Sequence, residues 1–167
     1  MASPPSRLSV SEGWAKSIHR ERGRLGSVGG FGSTSEAVIG AAIEVHRELG
    51  PGLLESAYES CLAYELHLRG LSVERQKVLP IEYKSLLVEQ GYRIDLLVEK
   101  VVLVELKSVE QLTRIHESQL ISYLRLSRCP IGLLINFNVP ILRLGIRRLT
   151  RERPAGSPAL PNLPRSL

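Results

Sequence analysis

Asp95 stands in the run YRIDLLVE, and Glu105 and Lys107 close the run VVLVELKSV. Both runs are otherwise apolar enough for strands buried on both faces. Burying a charge costs several kcal/mol unless it is paired, hydrogen-bonded or bound to a metal. Side chains two apart on a strand share a face. Arg93, Asp95 and Leu97 are therefore expected to point one way, and Tyr92, Ile94 and Leu96 the other. In the next strand Leu103, Glu105 and Lys107 share a face, opposite Val102, Val104 and Leu106. Paired as a hairpin, the two strands would bring Asp95 and Glu105 together, with Lys107 one step nearer the strand end.

Two carboxylates at such close range repel and raise each other's pKa. A divalent cation removes the conflict, and Mg²⁺ favours a few carboxylate oxygens completed by water and phosphate. The chemistry this supports is phosphodiester hydrolysis. The metal polarises a phosphate oxygen and lowers the pKa of a bound water. A neighbouring lysine orients or deprotonates that water and offsets transition-state charge. Against this stands chance: an acid-x-Lys triplet occurs roughly once in 100–200 positions at average composition. A second triplet, Glu82-Tyr83-Lys84, has no acid on a preceding strand and reads as a solvated strand end. A surface ion pair is the corresponding reading of Glu105 and Lys107.

The elements that must position these residues follow from periodicity. TSEAVIGAAIEVHRELG predicts a helix, with Val38, Ala42, Val45 and Leu49 as its stripe, Thr34 or Ser35 as cap and Gly50-Pro51 as stop. A second helix is predicted from about Leu54 to Arg69, with Leu54, Tyr58, Cys61, Leu62, Glu65 and Leu68 on or beside one face. From Val73 the period drops to two. VERQKVLPIEYK predicts a strand whose Pro80 marks an edge or a bulge. EQGYRIDLLVE and VVLVELKSV, the two runs around Asp95 and Glu105, form a hairpin turned at Glu99-Lys100. TRIHESQLISYLRLS returns to helical spacing, with Ile115, Leu120, Tyr123, Leu124 and Leu126 as core candidates. CPIGLLINFN and PILRLGIRRL predict two closing strands. The order ααβββαββ means an α/β sheet with helices packed on its faces.

The chain of 167 residues suits one domain plus tails, placed at about Thr34 to Leu149. A basic extension, residues 1–33, and a Pro-rich tail, residues 150–167, read as disordered. The net charge of +5 lies in these tails, because residues 34–149 carry fourteen basic and fourteen acidic side chains. The charge of the whole chain therefore says little about the partner of the domain. Two cysteines, Cys61 and Cys129, make neither a disulfide framework nor a metal pattern, so a reduced, cytoplasmic setting is expected. No apolar run approaches the ~20 residues of a membrane span.

Taken together, the residues resemble a known family. Asp95 with Glu105-Leu106-Lys107 is similar to the signature of the PD-(D/E)xK nuclease superfamily. Gly52 to Tyr58, GLLESAY, resembles the motif for which the GxxExxY protein family is named. The similarity runs on through AYELHLRG, YRIDLLVE, VELKSVEQL, HESQLISYL and GLLINFN, from about Ala37 to Leu149. The resemblance implies a restriction-endonuclease-like fold, a mixed central β-sheet flanked by helices with the site at one sheet edge. It implies Asp95 and Glu105 as metal-binding acids, the carbonyl of Leu106 as a further ligand, Lys107 as the motif lysine and Glu55 as the helix glutamate. Gln119 and Tyr123 resemble a QxxxY element that lies close to the site in the nuclease domains of recombination helicases. Mg²⁺ is the implied cofactor, with Mn²⁺ as a substitute, and nucleic acid, DNA before RNA, is the implied partner. The analogy also allows a homodimer.

The residues themselves leave alternatives beside these roles. Glu55 is also suited to the first turn of a helix through the macrodipole. Tyr58 reads better as a packing residue with a hydrogen-bonded hydroxyl than as a catalyst. Gln119 and Tyr123, four apart on one helix face, either steer phosphate or divide into a solvated residue and a core residue. Arg93 either contacts phosphate or pairs with a glutamate. His116 reads as a surface or helix-start residue. Two functions from different classes stay open: a metal-dependent nuclease, and a silent nucleic-acid-binding or protein-interaction module on the same fold.

Overall fold

The structure is a computed structural model that describes residues 30–151. The expectations for residues 1–29 and 152–167 lie outside the described residues. Helix α1 spans Gly30–Leu49 and helix α2 spans Glu55–Leu68. Strands β1 (Val73–Tyr83), β2 (Leu86–Val98) and β3 (Val102–Lys107) follow, then helix α3 (Arg114–Ser127). Strand β4 (Ile131–Asn136), a 3₁₀ turn (Leu142–Gly145) and strand β5 (Ile146–Thr150) complete the domain.

The five strands lie in chain order, β1-β2-β3-β4-β5. All pair antiparallel except β3 and β4, which are parallel. A parallel pair needs a long crossover, and α3 supplies it between β3 and β4. Three layers result. On one sheet face α1 and α2 bury Val38, Ala42, Tyr58, Leu62 and Leu66 against Leu96, Val104, Leu133 and Phe137. On the other, α3 buries Leu120, Tyr123 and Leu124 against Ile94, Leu97, Leu103 and Leu134. Each fully buried leucine contributes about 1.5–3 kcal/mol. Gly132 lets α3 come close, since a Cβ there would stand 2.9 Å from the Leu120 side chain.

The expected element order and α/β class are those observed. Pro80 marks both an edge and a bulge, because β1 is a sheet edge and its register with β2 shifts between Leu79 and Ile81. Glu99 and Lys100 form the expected turn in left-handed backbone, with φ of 51° and 59°.

Several expectations are corrected. α1 begins at Gly30, so Thr34 and Ser35 are buried helix residues and not caps. β2 starts at Leu86, ahead of the expected Glu89, because the β1–β2 ladder runs out to Tyr83↔Leu86. The first half of PILRLGIRRL is the 3₁₀ turn and only its second half is strand. Ile115 is 78% exposed and Leu126 39%, as α3 turns the Leu120–Tyr123–Leu124 stripe to the sheet and these two away. Leu49, Leu54 and Leu68, at the ends of α1 and α2, are exposed as well. No helix among the described residues is long and apolar enough to cross a membrane.

Candidate active site

The expected alternation in β2 fails at Asp95. Ile94 and Leu97 both pack on the α3 side, while Leu96 packs on the α1–α2 side. The grouping of Leu96 with Tyr92 and Ile94 is thereby corrected. The cause is local: Gln76, across from Asp95, takes a left-handed φ of 50°, and the β2–β3 ladder stops at Leu96↔Val104. Asp95 is thus released from the ladder just where β2 and β3 part. Its carboxylate replaces a ladder partner, accepting the Leu106 N–H at 2.8 Å. In an extended strand the carbonyl of a residue points to the same side as its N–H. The Leu106 carbonyl therefore faces this opening too.

Glu105 and Lys107 share the α3-facing side of β3, as their spacing requires. Glu105 is 3% exposed. One of its oxygens accepts from Lys107 Nζ at 2.6 Å, and the other, Oε2, is buried without a hydrogen-bond partner. An unpaired buried carboxylate oxygen is costly. Burial, together with the charge of Asp95, raises the Glu105 carboxyl to about 7 from 4.5. Burial raises Asp95 as well, against the lowering pull of the Leu106 N–H and Lys107. Burial opposes the Lys107 ammonium, but its bond to Glu105 and the nearby charges of Glu105, Glu55 and Asp95 win and hold it above the ordinary lysine value.

Glu55 reaches the same cluster from the start of α2. The loop before it turns through Gly50 and Gly52, whose φ values of 68° and 102° suit glycine. Tyr58 fastens that loop. Its buried hydroxyl donates to the Gly50 carbonyl at 2.6 Å and accepts from Leu53 N–H at 3.1 Å, and its ring stacks on Phe137 at 4.2 Å. Ser108, directly after the lysine, ties the loop to the end of β3. It donates its N–H to Glu55 Oε1 at 3.0 Å and its hydroxyl to the Leu53 carbonyl at 2.7 Å. A shallow cleft lined by Leu54, Glu55, Ser108 and Asn138 opens beside these bonds.

From α3, Gln119 donates to the Tyr123 hydroxyl at 2.7 Å. Tyr123 packs edge-on to Tyr92. Burial raises its pKa, and the charges of Glu105, Lys107 and Asp95 all act on it, which puts the hydroxyl beside the cluster. The structure thus gathers Asp95, Glu105, Leu106, Lys107, Glu55, Gln119 and Tyr123 where β2 and β3 part. Tyr58 is brought near only as the clamp of the loop. Arg93 is exposed, and its side chain makes no hydrogen bond or ion pair among the described residues. His116 accepts the Thr113 N–H at 3.1 Å at the start of α3, a helix-start role.

Two residues escaped the reading of the sequence. Glu59, 6% exposed, accepts from Arg75 Nε at 2.9 Å and from Gln76, and its charge acts on Asp95. Its only signal is its place one helical turn after Glu55. Gln76 also stands at 3.5 Å from Asp95 Oδ1, and nothing in its surroundings in sequence marks it. Asn136 does more than end a strand, since its amide spans the N–H and carbonyl of Val109 and accepts from Asn138 N–H.

Among the described residues no three His, Cys, Asp or Glu side chains converge enough to hold a metal alone. Two carboxylates and a carbonyl, completed by water and phosphate, are nevertheless an ordinary donor set for Mg²⁺. The unpartnered Glu105 oxygen fits that set. A family model described as the PD-(D/E)XK nuclease superfamily matches residues 33–149. No curated protein and no solved structure matches the chain.

Proposed function

The chain belongs to the PD-(D/E)XK nuclease superfamily, and we propose that it is a metal-dependent nuclease that hydrolyses phosphodiester bonds of nucleic acid, DNA before RNA. Its GLLESAY motif supports reading it further as a GxxExxY protein. The observation that carries the proposal is the buried Glu105 oxygen with no partner, beside Lys107 on the other oxygen and Asp95 across the opening. Asp95, Glu105 and the Leu106 carbonyl would hold Mg²⁺, or Mn²⁺ in its place, which supplies a water of lowered pKa and a polarised phosphate oxygen.

The residues of the chain do the rest. Lys107, an ammonium donating to Glu105, offsets charge that gathers on the reacting phosphate and protonates or orients the groups that exchange on it. Glu55 keeps Lys107 and the Ser108 N–H in place and limits how far the end of β3 can move. Gln119 orients the Tyr123 hydroxyl, leaving it a donor for a phosphate oxygen. Arg93, exposed on β2, is free to meet a phosphate farther out. The homodimer rests on analogy, and the described residues add no argument for it.

The test is cleavage of labelled single- and double-stranded DNA and of RNA with Mg²⁺, Mn²⁺ or EDTA. Wild type is expected to cut only with metal, and Lys107→Ala to lose at least a hundredfold in rate. A folded protein that binds nucleic acid yet cuts none of the three would replace the proposal with a silent binding module.

A further inference from the structure

The neutrality of residues 34–149 conceals a division. Residues 34–117 carry nine Lys/Arg and fourteen Asp/Glu, whereas residues 118–151 carry six arginines and no acid. The fold gathers the second part at one side of the sheet. The acid-free stretch runs from the middle of α3 through β4 and the 3₁₀ turn to β5, which is the far edge of the sheet from β1. Arg125 and Arg128 stand exposed at the end of α3, and Arg143, Arg147, Arg148 and Arg151 stand exposed along the turn and β5. None of the six forms an ion pair among the described residues.

We propose that this arginine edge is a phosphate-backbone surface that holds nucleic acid against a site whose own carboxylates repel it. The inference rests on the nuclease reading for the use of the surface, though not for its existence. Glu55, Glu59, Asp95 and Glu105 gather at the opening against two cations, Lys107 on Glu105 and Arg75 on Glu59, so the site alone attracts a polyanion weakly. Six arginines without acids supply the missing attraction, and each phosphate they neutralise releases counterions.

The geometry connects the two. Glu105 pairs in register with Leu134, and Leu134 with Arg147. Glu105 and Arg147 therefore share one row and one face, two strands apart, about 10 Å. α3 packs over Leu134 between them, so the path runs around the end of the sheet. The Arg147 guanidinium already lies there, donating to the carbonyls of Leu144 and Ile146 at 3.1 Å. Arg143 stands on the same turn, just after the Asn136–Asn138 segment whose Phe137 N–H bonds the Lys107 carbonyl at 2.8 Å. Arg148, on the opposite face, and Arg151 continue the line away from the site.

The experiment measures binding of the full chain to a labelled DNA duplex in EDTA across a salt series. Wild type is compared with Arg147→Gln/Arg148→Gln/Arg151→Gln, with the same three positions changed to Lys, and with Lys84→Gln at the β1–β2 turn. The Gln triple variant is expected to bind at least tenfold more weakly and to lower the slope of log K against log salt by about 2–3, near 0.9 per contact. The Lys variant is expected to keep most of the slope, and Lys84→Gln all of it. An unchanged slope in the Gln triple variant overturns the proposal. So does loss of binding to phosphatidylserine-containing vesicles with DNA binding intact, which would make the edge a lipid surface. The nuclease reading is scored separately by cleavage with Mg²⁺. A wild type that loses its salt slope in the Gln variant but never cuts keeps this surface and removes the nuclease; cutting with an unchanged slope does the reverse.

Discussion

Replacing Glu105 by glutamine should make the metal-free protein more stable while abolishing its proposed activity. The folded Glu105 carboxyl titrates near 7 against 4.5 in an ordinary setting, through burial and the charge of Asp95. At about 1.4 kcal/mol per pH unit, holding it ionised above pH 7 costs the fold about 3 kcal/mol. The amide keeps the size of the side chain and can still accept from Lys107, but burying its own polar atoms returns about 1 kcal/mol. A gain of about 2 kcal/mol at pH 8 remains, or about 5–10 °C in Tm for a domain of this size. The native protein holds the Glu105 proton between pH 4.5 and 7 while the unfolded chain releases it. This contribution to stability is therefore full below pH 4.5, falls as pH rises, and is gone above pH 7. Thermal unfolding of Glu105→Gln and wild type in EDTA, at pH 4.5 and pH 8, checks this. The two should melt together in acid and separate at pH 8, with Mg²⁺ narrowing the gap by stabilising wild type alone. A variant that melts below wild type at pH 8 would mean that the orphaned oxygen has a favourable partner and that the ionised carboxylate does not destabilise the fold.

Other substitutions follow from the same contacts. Lys107→Ala strips Glu105 of its hydrogen-bond partner at 2.6 Å and should cost about 2 kcal/mol without metal, a loss that Mg²⁺ partly restores in thermal unfolding. Tyr58→Phe removes the bonds to Gly50 and Leu53 and should cost about 1–2 kcal/mol, with kcat reduced at unchanged KM as Glu55 loses its anchor. Asn136→Ala leaves three backbone groups of Val109 and Asn138 unpaired and should cost about 2–3 kcal/mol in urea unfolding.

How far the sequence foretold these features depends on whether each is local. Glu105 and Lys107 follow from strand period alone, and the charges in an apolar run pointed to the place in the fold that needs a further partner. The helix order and the turn at Glu99-Lys100 are likewise local patterns. Asp95 was found for a reason that proved incomplete. It meets the site because the ladder ends at Leu96↔Val104 and Gln76 takes a left-handed backbone, and period-two counting cannot show a strand leaving its partner. Glu59 and Gln76 were missed because each matters only through contacts between α2, β1 and β2, far apart in the chain. Ile115 was misplaced because a helix stripe read in isolation does not say where the sheet ends beneath it. The arginine edge was hidden by summing charge over the domain, since segregation appears only when the acid-free stretch is laid on adjacent elements.

In the proposed function, the buried charges at the parting of β2 and β3 are kept because they share a divalent cation. Mn²⁺ binding by electron paramagnetic resonance, at pH 8 and without nucleic acid, is the first measurement to make. One ion per chain is expected, displaced by Mg²⁺, with affinity at least tenfold weaker in both Asp95→Asn and Glu105→Gln. Binding that is absent from the folded wild type, or equal in all three proteins, would contradict it.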